Sequence, residues 1–77
     1  MTRDECLNLL CEAMELPQGE LTGGEIFGDL EQWDSLAVMN VIALLDERGG
    51  ISLSAQQMMA CKQVNELVGL VLGASGA

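Results

Sequence analysis

Residues 34–50 read DSLAVMNVIALLDERGG, and the fold follows from how that stretch divides. From Leu36 to Leu45 it is strongly apolar, interrupted by Asn40. Val38, Val41, Ile42 and Leu45 recur at i, i+3, i+4 and i+7, the spacing of one buried helix face. Gly49-Gly50 marks the end, because glycine tolerates the left-handed turn that closes a helix. A helix is therefore expected from Ser35 to about Arg48, with Asp34 as its cap. Its other face carries Leu36, Asn40, Ala43 and Glu47, a mixed surface suited to partner contact. Plain solvation explains Asn40 and Glu47 equally well, and Leu36 less comfortably. Asp34-Ser35-Leu36 sets a hydroxyl where helix N–H groups are unpaired and the dipole is positive. Such a place stabilises an attached phosphate. On the tripeptide alone, a simple N-cap by Asp34 or Ser35 is the better reading. The surrounding sequence shifts that balance.

Upstream lies an unusually long connection, Pro17 to Trp33. Gly19, Gly23, Gly24 and Gly28 prevent a stable helix of any length, while Leu21, Ile26, Phe27, Leu30 and Trp33 punctuate it with apolar groups. The loop is expected to be pinned to the core by those side chains and to deliver Ser35 to the surface; long loops in small domains are usually functional. Before it, a first helix runs from Arg3 to about Glu15. Thr2 and Glu5 form a capping box, Cys6, Leu9, Leu10 and Ala13 make its buried face, and Pro17 ends it. Downstream, Ser54 with Gln57 is a second capping box, opening a short helix from Ala55 to about Cys61 that carries Met58 and Met59. A last helix, about Gln63 to Leu72, buries Val64, Leu67, Val68 and Val71, and Gly73 to Ala77 is expected to fray. No segment alternates as a strand does. The expected fold is all-α: a small four-helix bundle of three longer helices and a short third, with a long loop between the first two.

A chain of 77 residues forms one small domain, with room for a core but not for a large catalytic cleft. Twelve acidic residues against three basic ones give a net charge of −9, which argues against nucleic acid or an anionic membrane as partner. A hydrophobic fraction of 49% is too high for a disordered acidic tail. The opening Met1-Thr2-Arg3-Asp4-Glu5 does not read as a signal peptide, and no apolar run is long enough to insert in a membrane. Cys6, Cys11 and Cys61 are odd in number and lack metal-type spacing, with no histidine to complete a zinc site. They read as small buried residues of a reduced, cytoplasmic protein.

No catalytic set can be assembled. Ser35 has no histidine base, Lys62 is the only lysine, and neither a phosphate-binding glycine loop nor a calcium loop is present. The chain is not expected to be an enzyme.

Taken together, Asp34-Ser35-Leu36 with Phe27 eight positions before the serine, then Val41, Ile42 and Leu45, then Ile51-Ser52-Leu53-Ser54, and finally Val64, Leu67 and Val68 resemble an acyl carrier protein. The pattern runs without a gap from Asp34 to Val71, and the first helix fits more loosely. The resemblance implies that a phosphopantetheinyl transferase moves 4′-phosphopantetheine from coenzyme A to the serine matching Ser35. The arm's thiol then carries acyl groups as thioesters between enzymes, so the modified chain is a phosphoprotein. The carrier itself supplies an address and a tether that raises effective concentration.

Three departures from fatty-acid carriers stand out. Ala37 and Asn40 occupy positions on the second helix where acids are usual. Gln56 and Gln57 are similarly neutral on the third, and Gln32-Trp33 replaces the small residues usual before the motif. They favour a stand-alone carrier of a specialised or secondary-metabolite pathway over one for fatty acid biosynthesis, and the chain is expected to be a monomer. Its expected partners are an acyl- or aminoacyl-activating ligase and acyltransferase or synthase enzymes. Asp34, Leu36, Asn40, Ala43 and Glu47, with Met58 nearby, are the expected recognition surface. Trp33 reads either as a shield beside the arm, as part of that surface, or as an anchor for the loop. The alternatives are an aminoacyl or peptidyl carrier of the nonribosomal type, against which the acidity weighs, and an acidic helical adaptor in which Ser35 only caps.

Overall fold

The computed structural model describes residues 1–74. Four α-helices follow in chain order: α1 Arg3–Ala13, α2 Ser35–Gly49, α3 Ala55–Met59 and α4 Val64–Ala74. A single 3-10 turn, Phe27–Asp29, breaks the long connection between α1 and α2. Among the described residues there is no strand, only an isolated antiparallel bridge between Ile26 and Gln63. α1 packs on α2 and α4, and α2 packs on α3. The architecture is the expected all-α bundle with a short third helix.

Both capping boxes form. The Thr2 hydroxyl accepts from the Glu5 N–H at 3.2 Å while the Glu5 carboxylate accepts from the Thr2 N–H at 2.9 Å. Ser54 and Gln57 exchange the same pair of bonds at 3.1 and 2.9 Å. Each box satisfies orphan N–H groups and fixes where its helix starts. α2 ends as glycine allows: Gly50 has φ 61°, and the Ile51 N–H donates back to the Leu45 carbonyl at 3.1 Å. That left-handed turn reverses the chain and buries Ile51.

The core is built from the expected faces. Cys6, Leu9, Leu10 and Ala13 of α1, Val38, Val41 and Leu45 of α2, and Val64, Leu67, Val68 and Val71 of α4 are all buried. Two assignments on α2 are corrected. Ile42 is only half-buried, packed at the edge of the core, while Ala37 is buried at 3% exposure. α1 lies over the flank of α2 that bears Ala37, and the Asn40 amide donates across the same flank to the Ala13 carbonyl at 3.4 Å. Ala37 therefore cannot be an exposed position awaiting a charged partner.

The helix ends also differ from expectation, for identifiable reasons. α1 stops at Ala13, two residues early, because Glu15 takes a left-handed φ of 58° and the Leu16 N–H reaches back to the Cys11 carbonyl at 2.8 Å. Pro17 disfavours the helical conformation at the residue before it, so the chain must leave the helix there. α3 stops at Met59 and α4 starts at Val64 because residues 62–65 pair with the long loop instead. The Phe27 N–H donates to the Lys62 carbonyl, the Val64 N–H to the Glu25 carbonyl and the Asn65 N–H to the Gly23 carbonyl, each at 2.9 Å. Gly23 is required at that crossing. Its φ is 113°, and a Cβ would run into the Arg3 guanidinium and the Asn65 amide. α4 continues through Gly73 and Ala74, two residues past its expected end at Leu72, and residues 75–77 of the expected frayed tail lie outside the described residues.

Candidate functional site

Ser35 is the first residue of α2 and is exposed. The capping role belongs to Asp34: its backbone is extended, and its Oδ1 accepts from the Ala37 N–H at 2.9 Å. The Asp34 carbonyl takes the Val38 N–H at 3.0 Å. The Ser35 hydroxyl is left uninvolved in the cap. The N–H groups of Ser35 and Leu36 open the helix where no intrahelical acceptor exists, at the positive end of the dipole.

The long loop delivers Ser35 much as its apolar punctuation implies. Leu21 and Phe27 are buried, and Leu30 and Trp33 are half-buried against the core. Ile26 does not conform: it is 44% exposed, its backbone held by the bridge to Gln63 while its side chain turns outward. The Trp33 indole stacks on Phe27 with ring centroids 4.2 Å apart and planes inclined by 22°. Such a pair contributes about 0.5–1.5 kcal/mol beyond its burial. The anchoring role of Trp33 is thus visible, two residues before Ser35. Polar bonds hold the other end of the loop. The Glu25 carboxylate accepts from the Thr22 N–H at 2.9 Å, the Thr22 hydroxyl at 3.1 Å and the Gly23 N–H at 2.8 Å. These donors, the Thr22 N–H foremost, hold the Glu25 carboxyl below the usual carboxylate range. Arg3 donates to the Thr22 carbonyl at 2.9 Å, tying the loop to the start of α1.

Of the surface residues expected around Ser35, Asp34, Leu36, Asn40, Ala43 and Glu47 are exposed, Leu36 at 69%. Met58 is not: it is fully buried between the helices. Its neighbour Met59, 62% exposed, turns outward in its place. Five residues of α3 are too few for a periodic pattern to show which methionine faces the core, so packing decides. Met39, 59% exposed, was also missed. A signal for it was present, since a residue four after Ser35 returns to nearly the same side of a helix. Ser35, Val38, Met39, Ala55 and Met59 line a cleft of about 160 Å³ between α2 and α3. Met59 also lines a second, larger trough of about 340 Å³, beneath Ile26, Phe27 and Trp33.

Cys6, Cys11 and Cys61 are free and buried, as expected of small apolar side chains. Burial pushes the Cys6 thiol from about 9 up to about 11 and moves the Cys61 thiol in the same direction. About a hundredfold less Cys6 thiolate is then present at neutral pH than for an ordinary thiol. Among the described residues no group of side chains is arranged to hold a metal ion. No helix among them is long and apolar enough to cross a membrane.

An exposed serine at the start of a long helix, behind an anchored loop, is an arrangement able to hold a covalently attached phosphate group. The family defined by the phosphopantetheine attachment site matches residues 5–71, from the first turn of α1 to the last buried residue of α4, and the chain belongs to that family. It is a phosphopantetheine-carrying protein, and the group such a domain holds covalently is 4′-phosphopantetheine. No curated protein and no solved structure matches it. The residues present fit the group: an exposed hydroxyl, two helix N–H groups without intrahelical acceptors, and the nearest carboxylate turned to its own cap.

Proposed function

We propose that Ser35 is the attachment site and that the whole chain is a single acyl carrier domain serving a specialised pathway. The observation that carries this is the division of labour at the start of α2: Asp34 caps, and the Ser35 hydroxyl stays exposed with no structural task. In the transfer, the Ser35 oxygen attacks the diphosphate of coenzyme A within a separate transferase. A phosphodiester forms as the bond to adenosine bisphosphate breaks, and the hydroxyl proton passes to the transferase. The bound arm supplies a thiol that holds acyl groups as thioesters. The chain's own residues would hold that arm: the N–H groups that open α2 would stabilise the phosphodiester's charge, and the stacked Phe27–Trp33 pair anchors the loop just before Ser35. The chain acts as carrier rather than catalyst, since it has no histidine to activate a nucleophile. Its three free, buried thiols suit a reducing cytoplasm and leave the arm's thiol as the reactive one.

Partner enzymes, namely the transferase, an acyl-activating ligase and acyltransferases or synthases, approach along Leu36, Asn40, Ala43 and Glu47, with Met39 and Met59 completing the surface. Between Leu36 and Leu45 that surface bears no charge, and α3 bears none. This supports docking through apolar contact and a pathway other than housekeeping fatty acid synthesis. Intact mass after incubation with coenzyme A and a broad-specificity transferase tests the attachment. One added phosphopantetheine, absent from Ser35→Ala, is expected; no added mass would favour the adaptor reading instead.

A further inference from the structure

The trough beneath Trp33 has a feature that an acyl tether alone does not need. Its walls are Ile26, Phe27, Trp33, Met59 and Cys61, and the one charged residue lining it is Lys62. Only three cations exist in this chain against twelve acids. Arg48 is committed to Glu12 in a two-pronged pair at 2.6 and 2.7 Å, and Arg3 donates to the Thr22 carbonyl. Lys62 forms no ion pair among the described residues. Its backbone is fixed, because its carbonyl accepts from the Phe27 N–H at 2.9 Å, while the residue is exposed. An uncommitted cation therefore sits beside an apolar channel on an otherwise acidic molecule. The trough also adjoins the cleft that contains Ser35, since Met59 lines both.

We propose that this trough receives the carried group, and that its preferred cargo is an acyl chain ending in a carboxylate, the half-thioester of a dicarboxylic acid. The inference rests on attachment at Ser35. The apolar walls cover the methylene chain, and Lys62 pairs with the terminal carboxylate that the remaining surface repels. The chain carries a net charge of −9 with Lys62 included, so away from that lysine such a cargo is the worst-suited to lie against this protein. An exposed ion pair of this kind changes occupancy of the trough by about two- to fivefold.

The test loads the full chain, through a broad-specificity transferase, from coenzyme A, pentanoyl-coenzyme A and glutaryl-coenzyme A. The two acyl groups have equal chain length and differ in the terminal carboxylate. Intact mass establishes loading first, and a protein that takes up no arm at Ser35 overturns the attachment and this inference together. Trp33 is the only tryptophan, so its indole N–H resonance reports on the trough, alongside the Lys62 side-chain signals. The glutaryl form is expected to shift both sets more than the pentanoyl form, and Lys62→Gln to remove the difference while leaving loading intact. Equal shifts from the two acyl groups, or a glutaryl-specific shift that survives in Lys62→Gln, would overturn the proposal with the attachment standing. A Lys62 response already complete with the bare arm would assign the lysine to the phosphodiester and overturn it likewise.

Discussion

Replacing Asp34 and Ser35 separately divides two roles that adjoin in the sequence. Asp34→Ala removes the side chain that accepts from the Ala37 N–H at 2.9 Å, leaving one more orphan donor at the start of the longest helix. Loss of such a cap costs about 0.5–2 kcal/mol, centred near 1. For a domain of this size each kcal/mol lowers the melting temperature by about 4–8 °C. Ser35→Ala removes a hydroxyl that makes no hydrogen bond in the fold, at an exposed helix position where alanine is the better helix former. Its effect on stability should stay within about 0.5 kcal/mol of zero. Melting followed by far-UV circular dichroism, with intact mass after transferase treatment, reads both roles on the same samples. The expected pattern is crossed: Asp34→Ala melts lower yet still offers a hydroxyl for modification, whereas Ser35→Ala melts like the parent and gains no mass. A Ser35→Ala protein that melts as low as Asp34→Ala would show that the serine is structural. One that still gains the arm would move the attachment elsewhere.

The two adjacent methionines of α3 should behave oppositely. Met58→Ala and, on α2, Leu45→Ala each empty a fully buried site and should cost about 2–5 kcal/mol in urea unfolding, while Met59→Ala should change stability by under about 0.5 kcal/mol; equal losses for the two methionines would mean that α3 is rotated. At the partner surface, Leu36→Ala should slow acyl transfer to a partner enzyme more than Glu47→Gln does, with mild salt dependence, since a buried apolar anchor holds a complex while rim charges chiefly speed encounter. A steep loss of binding at moderate salt with Leu36→Ala silent would refute apolar docking. Acid should loosen the long loop. Glu25 is held below the ordinary 4.5, first by the Thr22 N–H, so its contribution is full above that value and disappears as pH falls through the depressed folded value. Glu5 and Glu12 are shifted the same way, by Thr2 and by Arg48 respectively. Glu25→Gln should therefore flatten the acid limb of the melting-temperature profile without abolishing it, and an unchanged limb would sever the loop from that titration.

Features that depend on neighbours along the chain are legible in the residues alone. Both capping boxes, the Asp34 cap, the glycine stop of α2 and the buried faces of α1 and α4 are local patterns. Their hydrogen bonds and periodicities close within a few residues, so they can be read without knowing what lies across the core. The place of Ser35 at a helix start was legible for the same reason, and the choice between cap and free hydroxyl followed once Asp34 was seen to take the bond. The remaining features depend on how distant segments pack. Which of Met58 and Met59 faces inward depends on how α3 sits against α2. Ala37 is buried because α1 lies over it, not because of its spacing. The early end of α3 and the late start of α4 come from backbone pairing between residues 23–27 and 62–65, a contact nearly forty positions apart that leaves no mark on side-chain pattern. The trough that joins Trp33, Met59 and Lys62 draws on the long loop, α3 and the segment after it, and exists only when those three are packed together.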